Sequence, residues 1–264
     1  MKRRLALALA LSAALAAGCA GVPTAPAGSV SRPLADAAPA TDQERRARVH
    51  VDLGMAYFEI GRNDVALDEA AIALAELPGY GPAHHLKALV YMVIGEQAAA
   101  ESNFEAALRQ APGDPDFNNS YGWFLCSQGR EQDGLERLEL AARNPYYRYQ
   151  ARPLTNAGLC HERLGNDAAA EVQFQRALQA DPRNGEAMYR LAAIAYRRGD
   201  YEAARGQLVR LHQQIGLTAS SVWLGARTER RLGNADARES YEAQLRSRFA
   251  TSPEYEQMMQ GRYE

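Results

Sequence analysis

Three cysteines, Cys19, Cys126 and Cys160, and an adjacent pair of histidines, His84-His85, are the residues of this sequence best suited to chemistry. A thiol can take a lipid, pair with a second thiol or lie inert in a core. Two neighbouring histidines on a helix point about 100° apart and do not converge on one ion. His84 is therefore expected to pack inward and His85 to sit on the open face, and no metal site is expected. The sequence contains no glycine-rich phosphate loop, nucleophile elbow or metalloprotease helix motif. No catalytic residue, cofactor or small-molecule substrate is expected, which leaves attachment and cross-linking as the chemistry in view.

The elements that must position these residues are helical. Hydrophobic residues make up 47% of the 264 positions and charged ones 23%, enough for a packed core. Alanine, leucine, arginine, glutamate and glutamine dominate while valine, isoleucine and threonine are sparse, a balance that favours an all-α fold. The formal charge is −2, and removing Lys2, Arg3 and Arg4 makes the remainder more acidic. That is not the composition of a nucleic-acid binder, which shows a basic face.

The basic Met1-Lys2-Arg3-Arg4 precedes an apolar run from Leu5 to Leu15, too short for a permanent membrane span. Ala16, Ala17 and Gly18 then lead into Cys19. Leu15-Ala16-Ala17-Gly18-Cys19 resembles the bacterial lipobox, although Ala16 stands where leucine is commoner. Residues 1–18 are thus expected to be a lipoprotein signal peptide and Cys19 the lipidated residue, anchored by several acyl chains. Ala20 in place of an aspartate implies, by resemblance to Gram-negative sorting, the periplasmic face of the outer membrane. Residues 19–43, with Pro23, Pro26, Pro33 and Pro39 among small residues, are expected to form a disordered tether.

From residue 44 a period takes over. Gly61, Gly95 and Gly129 stand 34 apart, Gly165 follows after 36, and Gly199 and Gly233 return to 34. Seven residues before each glycine lies a small residue: Gly54, Ala88, Gly122, Gly158, Ala192 and Ala226. Small residues five places after it, at Ala66, Ala100, Gly134, Ala170 and Ala204, keep the same register, with Phe104, Leu138, Phe174 and Leu208 four further on. The pattern is similar to the tetratricopeptide repeat, in which small residues let two helices approach and a large one fills the space beside them. It predicts a right-handed helical solenoid over 44–264, of about six helix-turn-helix repeats. These run about 47–80, 81–114, 115–150, 151–184, 185–218 and 219–250, with a C-terminal helix from Pro253 capping the degraded last repeat.

This register places Cys126 and Cys160 one repeat apart in neighbouring first helices. The spacing favours a disulfide in an oxidising envelope over two buried free thiols. First helices also line the concave face. There Met55, Phe58, His85, Leu89, Met92, Val93, Asn119 and Trp123 form a candidate partner-binding groove of apolar, methionine-bearing character. The alternative for each is ordinary inter-repeat core. The corresponding face of repeats four and five, with Arg152, Thr155, Glu162, Tyr189 and Arg197, reads as more polar.

The string Asn118-Asn119-Ser120-Tyr121-Gly122-Trp123-Phe124-Leu125-Cys126 is not a general requirement of the repeat. Together with Asn156-Ala157-Gly158-Leu159-Cys160 and the inserted Asn144-Pro145-Tyr146-Tyr147, it resembles the type IV pilus biogenesis lipoproteins of the PilF/PilW pilotin family. That resemblance implies a protein that binds subunits of the pilus secretin and promotes their outer-membrane localisation and multimerisation. The alternative is a general scaffold lipoprotein for another cell-envelope assembly machine.

Overall fold

Small residues at fixed spacing draw helices into antiparallel pairs, and the pairs then stack. The computed structural model describes residues 30–263, so the signal segment and Cys19 lie outside the described residues. A short 3-10 turn at Leu34–Asp36 is followed by six helix pairs. These are α1 (Asp42–Glu59) with α2 (Asn63–Glu76), α3 (Gly81–Ile94) with α4 (Gln97–Gln110), and α5 (Pro115–Ser127) with α6 (Glu131–Ala142). Then come α7 (Ala151–Arg163) with α8 (Asp167–Ala180), α9 (Gly185–Arg198) with α10 (Tyr201–Gln214), and α11 (Ala219–Arg231) with α12 (Ala235–Arg248). A last helix, α13 (Pro253–Met259), closes the stack, and no strand occurs among the described residues.

The periodic glycines end the first helices. Gly95 takes φ 85° and Gly199 φ 84°, the left-handed geometry that glycine adopts without steric cost and that turns the chain into the second helix. Polar side chains fix several helix starts, as where Asn184 accepts from the Ala187 N–H and Thr218 pairs reciprocally with Ser221. The expected small positions are buried, including Ala66, Ala100, Ala170 and Ala204, and Phe104, Leu138, Phe174 and Leu208 fill the space beside them. Burying each of these large side chains stabilises the stack by about 2–3 kcal/mol. In the third pair the helices approach closely, Gly122 on α5 meeting Gly134 on α6 with no room for a Cβ on either.

Cys126 on α5 and Cys160 on α7 are joined by a disulfide, with Cα atoms 5.7 Å apart and both residues fully buried. The two-residue excess between Gly129 and Gly165 is taken up in the loop after α6. Asn144 organises that loop, accepting from the Tyr146 N–H at 2.9 Å while its side-chain amide donates to Gly113 O and Ser31 O. At the far end α13 seals the sixth pair. Met258 is buried there, and the Trp223 indole N–H donates to Gln257 Oε1 at 2.8 Å.

The N-terminal segment departs from expectation. A disordered tether was expected to run to residue 43, yet from Val30 the chain already lies against the solenoid and α1 begins at Asp42. Pro33 is buried, Leu34 packs beside the cluster around Phe117, and the Leu34 N–H donates to the Asp114 carboxylate at 2.7 Å. Composition suggested disorder because the segment has no apolar period; what orders it is backbone hydrogen bonding to distant groups.

Candidate partner-binding groove

Helices α1, α3 and α5 present one face each side by side. Residues three and four apart share a helix face, so Met55 lies one turn from Val51, and Leu89 one turn from His85. These four, with Asn119 and Ser120 of α5, line a cavity of about 300 Å³. Phe117 forms a buried part of its wall, and its ring centroid lies 4.9 Å from that of His85. His85 Nε2 is 2.9 Å from Ser120 Oγ. Asn119 Oδ1 accepts from the Asn156 amide at 3.0 Å, which fixes its orientation toward the opening.

The rim is charged. Asp52, Asp114, Asp116, Arg148 and Arg152 all reach the cavity, and the Arg152 guanidinium stacks 4.2 Å from the centroid of Tyr149. Asp114 caps α5, accepting from the N–H groups of Asp116 and Phe117 at 2.9 and 3.2 Å. Burial pushes its carboxyl up to about 6, against the pull of those N–H donors and that of Leu34. Asp116 is raised by burial as well, while the Tyr147 hydroxyl donating at 2.9 Å opposes the rise. Burial drives His85 the other way, down to about 4, so its ring is neutral at pH 7.

The sign of the His85 effect can be tested directly. An unfolded histidine takes a proton near pH 6.5, whereas the folded ring resists until about pH 4, so acid favours the unfolded chain between those values. Relative to His85→Gln, the wild-type protein is expected to lose stability as pH falls from 6.5 to 4, by up to about 1.4 kcal/mol per pH unit. Urea midpoints of both proteins measured across that range check it; parallel curves would show that the ring titrates normally.

Of the eight residues expected to form the groove, the structure gathers Met55, His85, Leu89 and Asn119 around this cavity. Trp123, half-buried, lines a second, more open hollow of about 600 Å³ with Leu159, Glu162 and Arg190. Charged residues make up most of its lining. Arg197 Nη2 lies 2.8 Å from Glu162 and 2.7 Å from Asp167, and those carboxylates raise its pKa. The remaining three residues line neither space. Phe58 packs with Ala66, Ala70, Leu86 and Val90, Met92 lies against the Phe104 cluster, and Val93 is 58% exposed at the end of α3.

The groove is therefore less apolar than the sequence suggested. Arg152, grouped by sequence with the polar repeats, reaches the N-terminal cavity, and Thr155 is buried, donating to Ala151 O at 2.8 Å. Sequence reasoning missed Asp114, Arg148 and the 3-10 turn, which supplies Pro33, Ala35 and Asp36 to the cavity wall. Asp114 ahead of Pro115 carries a helix-start signature that marks it as a cap. Nothing local marks the others. His84 faces its own hairpin partner, with Nδ1 3.0 Å from Asn103 Oδ1, and no cluster of three metal-ligating side chains occurs among the described residues.

Residues 85–153 and 164–215 match models of the tetratricopeptide repeat. A type IV pilus assembly protein, PilF of Pseudomonas aeruginosa, is 27% identical over 216 residues, 82% of this chain and 85% of its own. The crystal structure of PilW, described as a widely conserved type IV pilus biogenesis factor, superposes with a TM-score of 0.74. It is 27% identical, and the match covers 81% of this chain and 98% of PilW. A structure of Pseudomonas aeruginosa PilF gives a TM-score of 0.75 at 25% identity, covering 84% of this chain and all of that one. The described chain is thus all-helical and built of tetratricopeptide repeats, and it is homologous to PilF over most of both lengths.

Proposed function

We propose that this scaffold is a pilotin: a lipoprotein, acylated at Cys19 and held at the periplasmic face of the outer membrane, that binds type IV pilus secretin subunits and promotes their localisation and multimerisation. The observation that carries this reading is the homology to type IV pilus proteins along nearly the whole solenoid, groove-bearing repeats included. Lipoprotein sorting carries the anchor outward while the solenoid holds its client. The N-terminal cavity suits the holding role, since it joins an apolar floor at Met55, Leu89 and Phe117 to charged groups at the rim that fix orientation. Among the described residues no helix is long and apolar enough to cross a membrane, so in this reading attachment falls to the lipid.

The test is secretin extraction from a deletion strain. Heat-resistant multimers are expected to vanish and to return with the wild-type gene. Leu89→Glu and Arg152→Glu, each checked for native helicity, are expected to restore them at least tenfold less well. The Arg152 side chain is exposed, so its variant carries little folding risk. Multimers that persist without the protein would reject the pilotin reading. Full rescue by both folded variants would reject the groove as the client site.

A further inference from the structure

Part of this cavity's wall is not solenoid at all but the segment that precedes it. Residues 31–37 cross its mouth and are gripped through their backbone. The Leu34 N–H donates to Asp114 at 2.7 Å, the Arg48 guanidinium donates to Ala35 O and Ala37 O, and the Asn144 amide donates to Ser31 O at 2.8 Å. Arg48 stands on α1, Asp114 just ahead of α5, and Asn144 in the inserted loop before α7. The segment therefore bridges the first repeat and the junction of the third and fourth.

We propose that residues 31–37 are a displaceable, built-in ligand of this groove, standing in for a short, turn-bearing stretch of a partner chain. Three observations carry this. The gripping groups read main-chain N–H and C=O, which any peptide able to take up this turn offers, whereas side-chain readout would tie the site to one sequence. The hold is light. Pro33 is the one buried side chain between Val30 and Ala40, Leu34 is half-buried, and the Arg148–Asp36 ion pair at 3.1 Å is exposed on both sides and contributes little. The leash is short, because only residues 38–41 separate the segment from α1, so a high effective concentration keeps it seated until a better ligand competes.

The ligand class follows from the donors and acceptors. A partner must present a similar short turn, with a proline or small apolar residue in the Pro33 position and a free N–H at the next, because Asp114 is buried and needs that donor replaced. Capture then releases the segment, whose length adds to the reach of the solenoid from its lipid anchor in the proposed reading. The inference rests on reading this groove as the client surface, though not on which client it takes.

The experiment uses the full chain and a synthetic peptide with the sequence of residues 30–41. Leu34→Pro removes the donor and the side chain without changing any residue of the solenoid helices, and Pro33, at φ −52° and ψ 132°, already has the conformation a following proline demands. Followed by amide NMR shifts at Leu89 and Asn119, the peptide is expected to bind the Leu34→Pro protein about tenfold more tightly than the wild type. Arg48→Ala, which removes two donors from the groove itself, should weaken the peptide's binding to the Leu34→Pro protein. A peptide carrying the same leucine-to-proline change should bind neither protein. In the wild type, amides 34–37 should exchange more slowly than in the free peptide. Equal affinity for open and wild-type proteins, or exchange of those amides at the free-peptide rate, would overturn the proposal. Neither readout involves a secretin, so failure here is distinct from failure of the multimer assay.

Discussion

Replacing Gly134 with alanine is expected to cost the solenoid about 3 kcal/mol, most of it felt in the third hairpin. A Cβ at that position would sit 2.5 Å from Cys126 Sγ, 2.6 Å from Gly122 O and 3.0 Å from Cys126 N. Two of those atoms are backbone, and the third is tied into a disulfide, so no flexible side chain can swing aside. The helices would have to part, unpacking Leu138 and opening α5 from α6. Gly206→Ala is the matched control: it lies inside α10, where an added Cβ meets nothing within 4 Å. That variant should gain about 0.5–1 kcal/mol from helix propensity alone. Denaturant midpoints measure both changes, and hydrogen exchange should locate the Gly134 damage in α5 and α6. A Gly134→Ala protein as stable as Gly206→Ala would mean that the two helices do not touch as described.

Loss of the Cys126–Cys160 bond should be of similar size. The bond closes a loop across a separation of 34 residues, and removing it frees the unfolded chain by about 3–4 kcal/mol in the loop-entropy account. The double variant Cys126→Ala/Cys160→Ala is expected to unfold earlier by that amount, with the junction of the third and fourth repeats exchanging first. Because both residues are fully buried, thiol reductants should act on the native protein only as fast as that junction opens. A peptide map of the non-reduced protein in which both thiols alkylate freely would sink the prediction.

Much of the solenoid is legible in the sequence because sterics impose it. A second helix cannot pack close over Gly54 or Ala88 unless those positions stay small, and a turn such as Gly95 needs a residue free to take positive φ. The groove was only half legible. Helical spacing shows which residues share a face, and so found Met55, His85, Leu89 and Asn119. It does not show how far each neighbouring repeat leans over that face. Phe58 and Met92 fall under an adjacent helix, and Val93 lies beyond the overlap. Trp123 was placed at the end of the same groove, yet the ridge of α5 assigns it to a different hollow. The docked N-terminal segment was illegible for another reason. Its hydrogen bonds span 80 residues to Asp114 and 113 to Asn144, and backbone groups leave no trace in side-chain patterns.

The disulfide also decides how the molecule carries load. A pull applied between the two ends of the solenoid passes from α5 to α7 through one covalent step. Residues 127–159, with α6 among them, lie off that path. At about 3.4 Å per residue, roughly 110 Å of chain is withheld from stretching however hard the ends are drawn apart. The second helix of the third repeat thus cannot be unravelled in series with its neighbours. Under tension the outer hairpins yield first, and the junction between the two hollows keeps its shape the longest.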